Sequence, residues 1–236
     1  MFYPMMYFDP TYMLVLVGVI LSLAASARVK STFSKYSRIR NMRGMTGAQA
    51  AERVLHGAGI YDVRIEPVSG NLTDHYDPRT KVLRLSDSVY GQSSVAAVGV
   101  AAHECGHAIQ HAKGYGPLKL RSTLVPIANF GSKIAWPLIL IGLLFNSESS
   151  TLFINLGIIA FTAAVAFQLI TLPVEYNASN RAVRMIAETG LMQGEEIQAA
   201  KKVLNAAALT YVAGAATAIL QLLRIILLTG GRRRND

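Results

Sequence analysis

Residues 151–174 read TLFINLGIIAFTAAVAFQLITLPV, a run of 24 residues without a charged side chain. A helix needs about 20 predominantly apolar residues to cross the hydrocarbon core of a bilayer. Three further stretches have the same apolar character, namely 11–27, 124–145 and 206–228. The four stretches predict a mainly α-helical membrane protein with about four transmembrane helices.

The overall composition supports this prediction. The chain has 236 residues, 52% of them hydrophobic, and its mean hydropathy is +0.34. This is more apolar than a soluble domain of the same size needs for its core. Charged residues make up only 16% of the chain and are concentrated between the apolar stretches. The sequence therefore separates into predicted spans and polar connections.

The four predicted spans differ in regularity. The 11–27 stretch is followed by basic residues, unlike a cleavable signal, in which they come first, so we expect a retained anchor. Lys133 and Pro137 interrupt 124–145, which predicts a kinked or tilted helix. That span and 151–174 are joined by a short polar turn, so they should form a helical hairpin. The 206–228 stretch contains Gln221 and Arg224, which are unfavourable in a bilayer. Whether this stretch crosses the membrane fully or only in part is therefore left open.

The distribution of Lys and Arg predicts the orientation. Of the 23 basic residues, 14 lie between Arg28 and Arg121, and four more follow the third span. Because basic loops stay on the cytosolic side, we expect both regions to face the cytosol in a multi-pass cell-membrane protein. The basic tail 232–234 breaks this rule. Either the last stretch does not fully cross, or the larger basic region determines the orientation.

The net charge of +9 raises the question of an anionic partner. The basic residues lie mainly beside apolar stretches, where an anionic lipid bilayer is the simpler partner, and nucleic acid is not expected. Cys105 is the single cysteine, so the chain has no internal disulfide, in agreement with a reducing cytosolic face. The oligomeric state is left open.

Local patterns predict several elements in the polar region. Residues 46–49 have the spacing of a capping box that opens a short helix, and residues 63–66 and 81–85 alternate as strands of a small antiparallel sheet. A helix capped by Ser93 or Ser94 should run to about Gly114. Pro173 suits the first turn of a new helix that should continue through Arg184 and stop at Gly190.

The run His103-Glu104-Cys105-Gly106-His107 lies within the helix predicted to end near Gly114. Histidines four residues apart project from one helical face, so both imidazoles can reach one metal ion. A glutamate directly after the first histidine can take a proton from metal-bound water. The spacing predicts one Zn²⁺ bound by His103 and His107, with Glu104 as catalytic base. The alternative is that these residues fill a buried helix as paired polar groups, which is costly without a partner.

Two neighbours of this motif have simpler explanations. Cys105 is expected to be a small apolar filler and not a ligand. His111 repeats the four-residue step and could touch the edge of the site, although a histidine stabilised by the helix dipole at a C-terminus explains it as well.

A catalytic zinc ion usually has three protein ligands and a water molecule, so one ligand is missing from this helix. The acidic candidates downstream are Glu148, Glu175, Glu188, Glu195 and Glu196. Glu148 is expected on the opposite side of the membrane, and the last three fit a solvated helix. Glu175 remains, with an interfacial pairing to Arg181 as its alternative role.

Residues 101–110 (AAHECGHAIQ) and 172–179 (LPVEYNAS) together resemble the bacterial YugP-type neutral zinc metallopeptidases, over nearly the whole chain. More distantly the chain is similar to the HtpX and CAAX-processing membrane peptidases. The resemblance implies a zincin-like helix on the cytosolic side, and Glu175 as the third zinc ligand. Where those relatives commonly carry an aspartate, this chain has Ser179, so Asn177 or Asn180 would supply the supporting hydrogen bond.

We therefore expect a zinc metallopeptidase that cleaves membrane or membrane-adjacent proteins. The expected segments are an anchor (1–27), a cytosolic part with the motif helix (28–123), a transmembrane hairpin (124–174), cytosolic helices carrying the third ligand (175–205), and a last apolar helix with a basic tail (206–236). The alternatives are a catalytically silent membrane scaffold with a structural metal site and, less favoured because the spans lack paired acids, a metal transporter.

Substrate binding is expected along residues 81–85, as an edge strand to which an extended peptide adds. Donors to the oxyanion of the reaction are left open among four side chains: His75, Tyr176, Arg181 and Tyr211.

Overall fold

The computed structural model describes residues 9–144 and 150–230. Within these residues it contains six helices and three strands. They are, in chain order, α1 (Tyr12–Ser37), α2 (Gly47–Gly57), β1 (Arg64–Val68), β2 (His75–Asp77), β3 (Val82–Ser86), α3 (Val95–Ala112), α4 (Gly116–Leu144), α5 (Ser150–Glu188) and α6 (Glu195–Gly230).

Four helices are long and apolar enough to cross a membrane, namely α1, α4, α5 and α6. Their most apolar segments have mean hydropathies of 2.0, 1.6, 2.1 and 1.9, and at most 28% of the residues in each segment are buried in the protein. Apolar surface of this extent is stable in contact with lipid and not with water. The prediction of four apolar spans is confirmed. Most of the predicted turn between the second and third spans lies outside the described residues, as does Glu148.

The prediction that Pro173 opens a new helix is wrong. Residues 150–188 form one continuous helix with Pro173 in its interior. Proline removes one backbone N–H donor, and neighbouring groups in a packed helix can compensate for this loss. The predicted end is confirmed, because α5 stops at Glu188 and Gly190 follows with a φ of +62°.

The chain divides into two compact units, which we describe separately. Of the described residues, the first contains 9–24, 124–144, 150–169 and 212–230, and the second contains 25–123 and 170–211. In the first unit, Thr217 Oγ1 on α6 donates to Gly18 O on α1 at 3.1 Å. Arg224 lies in the apolar part of α6, where its guanidinium stacks 4.4 Å from the Tyr12 ring centroid and lies 3.8 Å from Asp9. A charge in an apolar span is therefore paired, as expected in a membrane protein.

In the second unit, the sheet is mixed and has the order β1-β3-β2. β2 pairs with β3 antiparallel, whereas β1 pairs with β3 in parallel, so the predicted purely antiparallel sheet is wrong. The tight connection between β2 and β3 places β2 on one side of β3, which leaves the other side to β1. Because β3 is the central strand, the predicted edge strand at residues 81–85 is also wrong.

The caps of the two short helices in this unit follow the local sequence. Thr46 and Gln49 form the predicted capping box of α2, and Ser94 Oγ accepts the Ala97 N–H at the start of α3. The buried faces of α2, α3, β3 and the second half of α5 form one apolar core. These contacts hold α3 rigidly in the interior of the unit.

Candidate metal centre

Helix α3 carries the predicted motif on its buried side. One helical turn separates His103 and His107, and their ring centroids lie 4.9 Å apart. The rings are nearly perpendicular, at 85°. The side chain of His103 is 14% exposed and that of His107 is 12% exposed. The helix therefore presents two imidazoles to the same small volume.

Glu175 on α5 reaches this volume from a distant part of the chain. Its Oε2 atom lies 3.3 Å from His103 Nε2 and 3.5 Å from His107 Nε2, and its side chain is 1% exposed. The three potential ligand atoms all lie within 4.8 Å of one another. Two imidazole nitrogens and one carboxylate oxygen are a ligand set that zinc uses in hydrolases.

Gly106 makes this approach possible. A Cβ atom added at Gly106 would lie 2.4 Å from Ala178 O on α5. No side chain fits at that distance, so the two backbones touch because this position is glycine. The close contact brings the histidines of α3 within reach of Glu175.

His103 is held through its second ring nitrogen. Its Nδ1 lies 3.1 Å from Ser179 Oγ, one turn beyond Glu175 on α5. We expected Asn177 or Asn180 to supply the supporting hydrogen bond in place of the missing aspartate. For His103 this is wrong, because Ser179, at the position of that aspartate, itself contacts the ring. Since Nδ1 is occupied, Nε2 is the atom directed toward Glu175.

His107 is held by the buried side-chain amide of Gln110, for which no sequence pattern predicted a role. Gln110 Oε1 lies 3.0 Å from His107 Nδ1, and Gln110 Nε2 donates to Val174 O at 2.8 Å and to Asn177 Oδ1 at 3.0 Å. With both Nε2 hydrogens used on acceptors, the Gln110 oxygen faces the ring and accepts its Nδ1–H. The lone pair of the neutral ring is then on Nε2, facing the centre.

The remaining oxygen of Glu175 has a different neighbour. Oε1 has no hydrogen bond of ordinary geometry among the described residues, but Arg121 Nη1 on α4 lies 2.9 Å away, at an ion-pair distance. The expected alternative pairing with Arg181 is wrong, because Arg181 Nε donates to Asn177 Oδ1 at 2.7 Å. Arg121 carries no motif in the sequence that would have indicated this role.

The electrostatics of the centre favour a cation. Burial lowers the pKa of His107, but the hydrogen bond to Glu175 and the charges of Glu104 and Glu175 outweigh burial, so the pKa is raised. A site that favours a proton on a buried imidazole also favours a divalent ion bound to the same atoms. The residues thus fit a zinc ion in geometry and in charge.

Glu104 and Tyr211 border this group of residues. Glu104 is 8% exposed. The charges of Glu175, Glu104 and Arg121 act on the Tyr211 hydroxyl. The other oxyanion candidates have different surroundings. His75 Nδ1 contacts Thr73 O, and the Tyr176 side chain is largely exposed.

Two further residues of α3 lie outside the centre. Cys105 is fully buried, its thiol faces Ala51 O at 3.5 Å, and burial raises its pKa well above the usual value. It has the surroundings of the apolar filler that we expected. His111 Nδ1 contacts the Tyr76 hydroxyl at 2.9 Å. Burial, with the charges of Asp62 and Asp77, raises the pKa of Tyr76 to about 12.

Known proteins are similar to this chain over nearly its whole length. The family model described as "Putative neutral zinc metallopeptidase" matches residues 11–230. The chain belongs to this family. It is also 50% identical over 216 residues to a Bacillus subtilis (strain 168) protein named "Putative membrane protease YugP", an alignment that covers 91% of this chain and 95% of that protein. No solved structure matches the chain. The resemblance to the YugP-type family is confirmed.

Proposed function

We propose that the protein is a membrane-bound, zinc-dependent endopeptidase that hydrolyses peptide bonds of membrane or membrane-adjacent proteins. One observation carries this proposal. His103 Nε2 and His107 Nε2 lie 3.3 Å and 3.5 Å from the buried Glu175 Oε2, and Glu104, the residue after His103, is itself only 8% exposed. The family and the membrane protease to which the chain is similar support the same chemistry.

His103, His107 and Glu175 would hold one zinc ion. Zinc bound there would polarise the scissile carbonyl and lower the pKa of a water molecule. Glu104 would serve as the base that takes a proton from the attacking water and as the acid that returns it to the leaving amine. Its low exposure limits access of bulk water, so the proton stays within the site.

Other residues of the chain position these groups. Ser179 and Gln110 fix the two rings through Nδ1, and Arg121 holds Oε1 of Glu175 so that Oε2 faces the histidines. We assign oxyanion stabilisation to the Tyr211 hydroxyl, because the charges of both Glu175 and Glu104 act on it. We place the active site on the cytosolic face, following the distribution of basic residues.

The proposal is tested by separating metal binding from hydrolysis. Zinc content is measured by elemental analysis, and cleavage of β-casein is measured in neutral detergent. We expect about one zinc per chain in wild type and in Glu104→Gln, with hydrolysis about 10²- to 10⁴-fold slower in the variant. Glu195→Gln, an exposed carboxylate on α6, is the matched control and should keep full activity.

The ligand variants His103→Ala, His107→Ala and Glu175→Ala should each lose zinc. A full zinc complement in Glu175→Ala would remove that residue from the ligand set. Hydrolysis that is equally fast in wild type and Glu104→Gln would contradict the proposed base. If wild type binds zinc and is stabilised by it but cleaves nothing, the silent scaffold with a structural metal site is the better description.

A further inference from the structure

A second concave site lies in the same unit as the metal centre but uses none of its residues. It is a cavity of about 790 Å³ between the polar end of α1 and the first half of α6. We call it the basic cavity, because Arg28, Lys35 and Lys202 line it and no carboxylate does. Its volume is within the range of about 300–1,000 Å³ that is usual for small-ligand sites.

The three cations of the basic cavity are uncompensated. None of them forms an ion pair within residues 9–144 and 150–230. Lys35 Nζ lies over the face of the Tyr36 ring, 5.5 Å from its centroid. Three positive charges around one concavity repel one another, so an anion bound between them would be stabilised.

The other polar groups of the cavity are also suited to an anion. The side chains of Thr32 and Asn205 line the wall, and each can donate a hydrogen bond, whereas the Ser31 hydroxyl donates to Arg28 O at 3.2 Å. Phosphate oxygens are strong acceptors that bind such donors together with Lys and Arg. The lining therefore has the chemistry of a phosphate site.

The sequence position of the cavity indicates the source of the phosphate. Arg28 is the first charged residue after the apolar stretch 11–27, and Ala206 and Leu209 begin the apolar stretch of α6. Basic residues at the ends of membrane spans lie at the depth of lipid headgroups, and basic pockets between such helices bind anionic lipids. Leu209 offers apolar surface beside the cations, as an acyl chain requires.

We propose that the basic cavity binds the phosphate of an anionic phospholipid, with the acyl chains along the apolar side of α6. This goes beyond general attraction to a charged membrane, because it assigns one defined binding site. It does not depend on the zinc centre, and each can be tested without the other.

The test is native mass spectrometry of the full chain in neutral detergent, titrated with phosphatidylglycerol or phosphatidylcholine. We expect a saturable adduct of one phosphatidylglycerol and weaker binding of phosphatidylcholine. The triple variant Arg28→Gln, Lys35→Gln, Lys202→Gln should bind phosphatidylglycerol on the order of 100-fold more weakly.

The matched control removes the same net charge from positions on the same two helices or, for Arg38, directly after the end of α1. Its substitutions are Lys30→Gln, Arg38→Gln and Lys201→Gln, three exposed residues that do not line the cavity. This variant should keep wild-type affinity, and equal unfolding temperatures of the two variants would show that folding is intact. If the cavity variant unfolds at a lower temperature, Lys202→Gln and Lys201→Gln are compared alone, with a loss of about fivefold expected only for Lys202→Gln.

Three results would overturn the proposal. Equal losses in the cavity and control variants would mean that diffuse charge attracts the lipid. Equal binding of phosphatidylcholine would mean that the anionic headgroup is not recognised. Displacement of phosphatidylglycerol by inorganic phosphate at millimolar concentration would reassign the cavity to a soluble phosphate ligand.

Discussion

The metal centre and the basic cavity each collect charged side chains, but they do so in opposite ways. At the metal centre, Glu175 is buried and surrounded by two imidazoles and Arg121. At the basic cavity, cations such as Lys202 are exposed and have no acidic partner among the described residues. At the metal centre the protein itself supplies the groups that pair with the carboxylate. At the basic cavity the described residues supply no negative charge to pair with the cations.

This difference indicates what each site can bind. A buried carboxylate with fixed neighbours loses little entropy when a small cation binds, and it strongly restricts the geometry. Exposed, flexible cations tolerate variable geometry, as a mobile lipid headgroup requires. The metal centre should therefore respond sharply to small changes in packing, and the basic cavity should respond mainly to charge.

The largest effect should come from Gly106→Ala. The new Cβ would lie 2.4 Å from Ala178 O, so α3 and α5 must separate. We expect the free energy of unfolding to fall by about 1–3 kcal/mol in urea titrations, and zinc content to fall as well. Phosphatidylglycerol binding at the basic cavity should change less than zinc binding.

Gly99→Ala is the matched control on the same helix. The nearest atom to its new Cβ is Ala200 Cβ at 3.5 Å, an ordinary contact. Because alanine also favours the helix, stability should be unchanged or higher. If the two glycine variants behave alike, close packing at Gly106 does not determine the geometry of the centre.

A smaller effect is expected from Gln110→Ala, which removes the acceptor for His107 Nδ1–H. We expect zinc affinity, measured by competition with a chelator, to fall about 10- to 100-fold. Gln110→Glu should recover part of the loss, since its carboxylate can still accept that hydrogen. Gln193→Ala, at an exposed position, should match wild type. Unchanged affinity in Gln110→Ala would exclude this positioning role.

The smallest of the three effects should follow from Arg121→Gln. Without the guanidinium, Glu175 Oε1 loses its cation and the carboxylate can rotate, so zinc affinity should fall by up to about tenfold. Arg121→Lys keeps the charge and should be intermediate. Lys202→Gln removes an equal charge from the basic cavity and should leave zinc affinity unchanged. If Arg121→Gln and Lys202→Gln lower zinc affinity equally, the net positive charge of the protein, and not the contact between Arg121 and Glu175, determines the effect.

Much of the fold was predictable because its signals are local. The apolar stretches, the capping box at Thr46 and the Ser94 cap involve residues within a few positions of each other. Pro173 misled the prediction, since its local preference for a helix start was overridden by the helix on both sides. The position of β3 in the centre of the sheet was not predicted either. It depends on β1, which is distant in sequence and pairs with β3 on the side opposite β2.

The candidate site shows the same division. The spacing of His103, Glu104 and His107 within one helix was enough to predict a metal-binding face, because four residues make about one turn. The choice of Arg121 over Arg181 beside Glu175, and the role of Gln110, had no sequence signal.

The sequence by itself determined the apolar helices, the caps and the pair of histidines, because backbone periodicity and side-chain chemistry act over short distances along the chain. Elimination among the acidic residues and the family resemblance already indicated Glu175 as the carboxylate beside those histidines. Only the tertiary structure decided which arginine holds that carboxylate and which cations surround a common cavity. These pairings depend on the close packing of residues distant in sequence, as between Gly106 and Ala178, and no local pattern specifies that packing.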